Sequence, residues 1–593
     1  MSNKQLIIDE IVNKISDWEG SMSGFLEECN EWSDLFTIKK PKKKANQFSR
    51  PRTPETFRAV NALGTMMYRM LTSQDPFFET VPMDLTNPSP DLYKVQKTLE
   101  TQVRIAETKR HLLKSLMQTT LMGTTIVEEP FEWMKLNPMG RKMPVTKFVP
   151  RSLLQIGFDR NTYDIEKSDW LYTTDKITKY GLKRLAETDA TGGTWSKGDI
   201  NDAISAKGEE STNQYITDRR GSEGYSDTES QTDINQMEMV MFYGKLDTLN
   251  DGIEYICGLV NRKYLVRFHA NKDQTGRRPF RVAKWIEWEL MPHGLGIGRL
   301  LASHQRSIDA NRQKVETGIT FNNMHMMMLD RGAGINKNDF KIMPLKVIES
   351  DGTNGLKPIE TSGVGIVHGL KLDEILKQEF RAASGATDTL QAIMTDGGTL
   401  GEVSIAQNEA VRNISVKAEI IAESLMRKHL EQCHINNYSN VSEPFVISGT
   451  QGPVVVYPTD LAVDVDFIVK ITTDKDFRPQ RTKDMIQVLQ VMTSIRNSGD
   501  DELAKPIYKE LFRSMDINPD MIDQIYAKKA EERQQGMQQA MMVQIAQAQA
   551  QQAEAQAKGG TGGAEAAPGE NTATIPVRGP DVSGSVNQEV PSV

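Results

Sequence analysis

Three glycines stand two apart in "HGLGIGRLL", at Gly294, Gly296 and Gly298. A β-rich run, Val282 to Glu289, precedes them and a helix-like segment follows, which is the local layout of a dinucleotide-binding turn. In such a turn the glycines let backbone amides approach a pyrophosphate at a helix N-terminus. Here the spacing is GxGxG, and the fingerprint places its third glycine one position later, so the match fails there. "GTNGLK", Gly352 to Lys357, likewise has the wrong spacing for a P-loop. The histidines are scattered; His429 and His434 lie five apart, which does not give a shared metal-binding face on a helix. Asp388 and Asp396 read as solvated or capping acids rather than a general acid–base pair. "HMMM", His325 to Met328, reads as packing, or as an adaptable partner surface, rather than a copper site. No HExxH or GxSxG occurs. The chemistry-bearing residues thus predict no catalytic centre, no metal and no cofactor.

Composition narrows the classes further. The 593 residues suggest about three or four domains at roughly 150 residues each. Apolar residues make up 38% and charged residues 25%, a lean supply that still suffices for real cores. A net charge of -8 argues against a general nucleic-acid grip, which needs excess Lys and Arg on one face. Cys29, Cys257 and Cys433 are odd in number and far apart, which points to a reducing interior and no disulfide framework. The opening residues lack a basic stretch followed by an apolar core, so no signal peptide is expected. No apolar run approaches the roughly 18 residues of a membrane span.

These residues sit on a recognisable series of elements. Residues 4–36 predict two amphipathic helices parted near Gly20 to Gly24. The basic run Lys39 to Lys44 reads as a solvated loop, with a nucleic-acid or partner contact as the alternative. A helix is predicted over 54–73 and a strand from Phe77. One long helix is predicted from Asp91 to Met122 on Leu92, Val95, Leu99, Val103, Leu112, Leu116 and Met117, with Gly123 as its stop. Strands follow to about 175 and again over 237–269, reading as a meander rather than as βαβ units. Between them, 187–236 is polar and is predicted to bury little, as a mobile surface excursion.

After the glycines, the helix Arg299 to Phe321 carries Leu301, Ile308, Val315 and Ile319 among polar residues. Such a helix needs a partner helix or neighbouring copies. A strand-rich insert, 326–370, separates it from a second helix, 371–384, with Leu372, Ile375, Leu376, Phe380 and Ala383 on one face and Gly385 as its stop. The loop 385–401 is glycine-rich and has no basic residue. It leads through a capping box, Thr399 and Glu402, into a very long helix on Val403, Ala406, Ala410, Ile414, Ala418, Ile421 and Leu425, ending near Ile435. Strands are predicted in "PFVISGTQGPVVVYPTD" and "VDFIVKITT", then three helices, the last starting at Asn518 and Pro519. The Gln/Ala/Met stretch beyond reads either as an ordered helical bundle or as a frayed tail, and 559–593 as disorder.

In this order the parts resemble the portal (head-to-tail connector) proteins of tailed bacteriophages, of the short-tailed podovirus type. The resemblance covers about 50–530. It rests on "PETFRAVNALGTMMYRML...FFETVP" before a long helix ending in "LMGTTIVEEPFEW", on "GIGRLLASHQRSIDANRQ", and on "ASGATDTLQAIM...EVSIAQNEAVRN". It implies an α+β, mainly helical portal fold assembling as a ring, usually of about twelve subunits. By resemblance, 1–290 is the wing, 291–325 stem helix 1, 326–370 the clip, 371–384 stem helix 2, 385–401 the tunnel loop and 402–437 the spine helix. Residues 438–475 are further wing strands, 476–533 crown helices, 534–558 a helical extension and 559–593 a tail.

The implied role is a non-enzymatic DNA channel at one capsid vertex, serving head assembly, packaging, tail attachment and ejection. The implied partners are copies of itself, double-stranded DNA, the large terminase subunit, the major capsid and scaffolding proteins and a head-to-tail adaptor, with no membrane. The implied location is the virion, and host cytoplasm during assembly. Thr387, Asp388, Gln391, Met394, Thr395 and Thr399 would face DNA in the tunnel loop. Met326, Met327, Met328, Lys341 and Lys346 would contact the motor from the clip. Arg299, Arg306, Arg312 and Lys314 face either DNA or subunits; pairing with Asp309, Glu316 and neighbouring subunits is the favoured reading. About twelve copies at -8 each give roughly -96, a field that discourages phosphate adsorption and suits a conduit. The alternatives are another head-completion or internal virion protein without a channel, and a nucleotide-dependent enzyme binding at 294–299.

Overall fold

A computed structural model describes residues 3–41, 49–83, 92–135, 142–187, 194–206, 214–222, 236–271, 276–323, 326–329, 356–359, 363–386, 412–449 and 452–471. All fall within Met1–Ile517, one of two units into which the chain divides; Asn518–Val593 lies outside the described residues. The described residues mix helices with antiparallel sheets, an α+β arrangement.

The predicted N-terminal helix pair is present as α1 (Asn3–Ser21) and α2 (Ser23–Phe36). Each buries one stripe at helical spacing: Ile8, Ile11, Ile15 and Trp18, by threes and fours, on α1, and Leu26, Cys29, Trp32 and Leu35, by threes, on α2. Next come α3 (Glu55–Thr72) and β1 (Phe78–Pro82). The predicted single helix 91–122 is two: α4 (Leu92–Ile105) and α5 (Thr108–Met122). Val103 and Leu112 are nine residues apart, about two and a half turns, so in one continuous helix their stripes would face opposite sides. A break at Glu107, in the left-handed region with φ 51°, lets both stripes enter the core. Gly123 ends α5 at φ 84°, as its position predicts.

Strands β2 (Thr124–Glu128), β3 (Phe131–Lys135), β4 (Lys142–Thr146), β5 (Val149–Arg151), β6 (Ile156–Phe158) and β7 (Trp170–Thr178) follow. After α6 (Lys179–Glu187), α7 (Lys197–Ser205) and α8 (Gln214–Ser222) come β8 (Gln236–Lys245), β9 (Glu254–Val260), β10 (Tyr264–Ala270) and β11 (Phe280–Lys284). The five-stranded sheet has the order β10-β9-β8-β7-β6, and a three-stranded sheet the order β11-β2-β5. Every pairing among the described residues is antiparallel, as a meander requires.

Within the stretch 187–236, Ile200 and Ala203 of α7 are buried with Leu182, Met237, Met239, Val260 and Val266. Two apolar side chains one turn apart are enough to cap the end of the sheet. The β-rich run stops at Lys284, not Glu289, because Lys284 pairs with Thr124, where β2 itself begins.

Beyond the glycines lie α9 (Ile297–Asn323), β12 (Met326–Leu329), β13 (Leu356–Ile359) and α10 (Val364–Ser384). The second helix therefore starts at 364, not 371, and the last residues assigned to the insert belong to it. "VGIVHGL" looks strand-like, but packing against α9 decides: Ile366 lies on Gly318 and Gly369 on Val315. The predicted apolar face of α10 is also only half right. Phe380 is buried, but Leu372 and Ile375 are 46% and 51% exposed, and Asp373 and Ser384 take the inward positions. A long helix, 412–440, contains a π segment, Ala422–Arg427, and buries Ile414, Ala418, Ile421 and Leu425 as predicted, ending five residues beyond Ile435. Strands β14 (Phe445–Gly449) and β15 (Gly452–Val456) form a hairpin, and β16 (Val465–Val469) returns to pair with β1.

Candidate functional site

The glycine motif forms a joint. An added Cβ at Gly296 would stand 2.2 Å from the Gly123 nitrogen, and one at Gly294 would stand 2.4 Å from the Gly123 oxygen. At Gly298 it would meet the Leu121 oxygen and Trp32 Cγ, both at 2.7 Å. The backbone of Trp285 donates to the Gly123 oxygen at 2.8 Å, and that of Gly294 to Thr124 Oγ1 at 2.8 Å. These glycines exist so that one backbone can cross another, and the space a phosphate would need is filled by the α5–β2 turn.

From this joint α9 rises along the segment 49–56. Gln305 Oε1 accepts from the Thr56 amide at 3.1 Å and Thr56 Oγ1 at 3.0 Å, while Gln305 Nε2 donates to Thr53 Oγ1 at 2.7 Å. Asp309 accepts from the Thr53 amide at 2.8 Å and pairs with Arg52 Nη1 at 3.0 Å. Ser49 donates to Glu316 higher up. Leu301, Ala302 and Ile308 are buried against the helical base, so the lower half of α9 is fixed to the body.

The upper half packs on α10. Gly369 admits Val315, and its carbonyl accepts from Asn311 Nδ2 at 2.8 Å. Arg312 lies 3.6 Å from Asp373, which Lys377 holds at 2.7 Å. At the foot of α10, Phe380 is buried and Arg381 reaches Glu55 at 3.2 Å. The result is an antiparallel helical hairpin, of 27 and 21 residues, whose far ends lead into the paired strands β12 and β13. At about 1.5 Å per residue the helices are roughly 40 and 30 Å long. Val364, Val367, Leu370, Leu372 and Ile375 remain exposed along α10, as do Leu300 and Ile319 on α9.

The predicted charged positions separate. Arg306 makes a two-pronged pair with Glu31 of α2 in the same chain, at 2.6 and 2.8 Å, and this hydrogen bonding raises its pKa. Its exposure limits the stabilising effect. Asp309, expected to pair with the α9 cations, instead belongs to Arg52. Arg312 shares Glu316 and Asp373 within the hairpin. Arg299 is exposed and close to Met291 Sδ; Lys314 is exposed and makes no ion pair among the described residues. Met326, Met327 and Met328 are on β12, opposite Ile359, Pro358 and Lys357. Lys341, Lys346 and the six loop positions Thr387, Asp388, Gln391, Met394, Thr395 and Thr399 lie outside the described residues.

One buried polar cluster was not foreseen. His429, on the long helix, bonds Glu129 Oε1 through Nδ1 at 2.7 Å, and its Nε2 lies 3.6 Å from Cys433 Sγ. Arg281 Nε is 3.3 Å from Glu129 Oε2, and Arg281 also donates to Gln432. Burial pulls the His429 pKa down, but Cys433 and Glu129 outweigh it and push it up to about 10. The cluster ties the long helix to β11 and the end of β2. Only its two ends, 300 residues apart, carry the signal, so no sequence spacing exposes it. His434 turns elsewhere, to the Val463 carbonyl at 2.8 Å.

No helix among the described residues is long and apolar enough to cross a membrane. No protein-family model matches the chain, and no curated protein matches it.

Proposed function

We propose that the chain is a portal subunit: a ring of copies that forms the DNA channel at one capsid vertex. The observation that carries this reading is the α9–α10 hairpin. Two long antiparallel helices, fixed to the body at their foot and closed by a strand pair at their tip, leave a row of apolar side chains uncovered along α10. Apolar exposure of this kind favours protein contact, and self-association into a closed ring gives each copy the same cover.

In this reading the hairpin is the stem, and the insert from Met326 to the start of α10 at Val364 is the clip where the large terminase subunit docks. The segment 385–401 is taken as the tunnel loop, whose lack of basic residues would keep DNA sliding rather than held. Capsid and scaffolding proteins meet the sheet-bearing body, and a head-to-tail adaptor joins after packaging. The energy for transport comes from the terminase. The chain itself supplies a shaped, acidic conduit.

Negative-stain images of the purified chain test this. Rings with a central hole support it, and compact particles without a hole overturn it. Replacing 330–355 by a short linker is expected to abolish terminase docking while the subunit still folds.

A further inference from the structure

His293 stands in the joint, immediately before Gly294, and is 5% exposed. Its ring stacks on Phe25 of α2, centroids 4.1 Å apart and planes within 14°, and meets Phe158 of β6 edge-on at 5.3 Å. Neither ring nitrogen has a hydrogen-bond partner among the described residues. A neutral imidazole fits such a slot as a small aromatic ring. An imidazolium does not, because it would carry two N–H donors and a charge into apolar surroundings.

The charges around it make matters worse for the protonated form. Lys284 approaches from β11 and Arg299 from α9, both cationic. α2 and β6 present Phe25 and Phe158, and the α2 carboxylate of Glu28 acts on Cys29 rather than on His293. Glu287 pairs with Lys284 at 3.1 Å rather than with the ring, and no acid among the described residues compensates a charge on His293. Burial first, then these two cations, push the His293 pKa down to about 3.

We propose that His293 is an acid-sensitive latch that holds the foot of α9 on the body only while its ring is neutral. Gly294, the next residue, is the one whose amide is held by Thr124 and whose face abuts Gly123. A ring that leaves its slot to be solvated draws Gly294 off that turn and frees the N-terminal end of α9. The hairpin then becomes free to tilt, through the glycines already at the crossing. The sign follows from linkage. A histidine depressed in the closed form contributes stability that is complete above about pH 6.5 and is lost as pH falls toward about 3. The latch acts within one chain and does not depend on ring formation.

The test is amide hydrogen exchange of the full chain between about pH 8 and about pH 4.5, corrected for intrinsic rates, on peptides spanning 285–298. The expected result is opening that increases by up to tenfold per pH unit below about 6.5 in the native protein. H293F, which keeps the stack on Phe25, is expected to show a flat profile. A flat profile in the native chain, or the same slope in H293F, overturns the proposal. Should H293F fail to fold, the His293 titration is read in the native chain by imidazole C2–H exchange. A midpoint below about pH 5 supports the latch, and one near the ordinary 6.5 overturns it.

Discussion

Gly369 of α10 packs directly on Val315 of α9: a Cβ at 369 would stand 2.5 Å from Val315 Cγ2. The hairpin is therefore set by a glycine-to-valine contact toward its tip, with Asn311 bonded to the Gly369 carbonyl beside it. Gly369→Ala improves helix propensity, yet overpacking at this distance is expected to win and destabilise the hairpin by about 1–3 kcal/mol. Gly365→Ala, with nothing within 4 Å of its added Cβ, is expected to stay within about 0.5 kcal/mol of the native protein. Denaturant unfolding of the two variants checks the contrast, and V315A in the G369A background is expected to recover part of the loss.

The His429–Glu129 pair gives a pH dependence of the opposite sign from His293. With its pKa raised to about 10 in the folded chain, His429 contributes stability that is complete below about pH 6.5 and is lost as pH rises toward about 10. His429→Gln is expected to flatten this alkaline loss in a stability–pH profile. Glu129→Ala leaves Arg281 and His429 without their carboxylate and is expected to cost about 3–5 kcal/mol.

Much of the fold is legible in the chain, and what is hidden has definite physical causes. The α1–α2 pair, the stop at Gly123 and the buried stripe of Ile414, Ala418, Ile421 and Leu425 follow from periodicity and from one glycine. The break between α4 and α5 was written in the nine-residue step from Val103 to Leu112, a phase error that a count of apolar residues alone conceals. The start of α10 at Val364 was hidden because Gly and β-branched residues there are helical only by virtue of packing on α9. The joint was legible in part: the spacing of Gly294, Gly296 and Gly298 spoke against a phosphate cradle, but the partner they pack on, Gly123, is far away in sequence. Ion pairs such as Arg306–Glu31 and Arg52–Asp309 carry no local signal, and side-chain charge alone could not distinguish them from contacts between subunits.

The filled joint also predicts the outcome of a nucleotide-binding assay. Saturable binding that maps to 294–299 would require the crossing at Gly123 to open, so ATP and dinucleotides are expected to leave the exchange protection of peptides 285–298 unchanged. Protection gained on adding nucleotide would favour the enzymatic alternative.

The exposed row on α10 predicts an assembly phenotype without a folding one. Val364→Ser, Val367→Ser and Ile375→Ser each replace a side chain at least half exposed, at 61%, 54% and 51%. Each is expected to change subunit stability by no more than about 0.5 kcal/mol. Together they are expected to weaken self-association by at least about tenfold, read as the concentration dependence of mass.

The most direct test of the portal reading is the native mass of the purified chain. Each copy weighs 66.6 kDa, so a ring of about twelve is expected near 0.8 MDa, with a central hole by negative stain. A single species at 66.6 kDa, unchanged across concentration and salt, would contradict it.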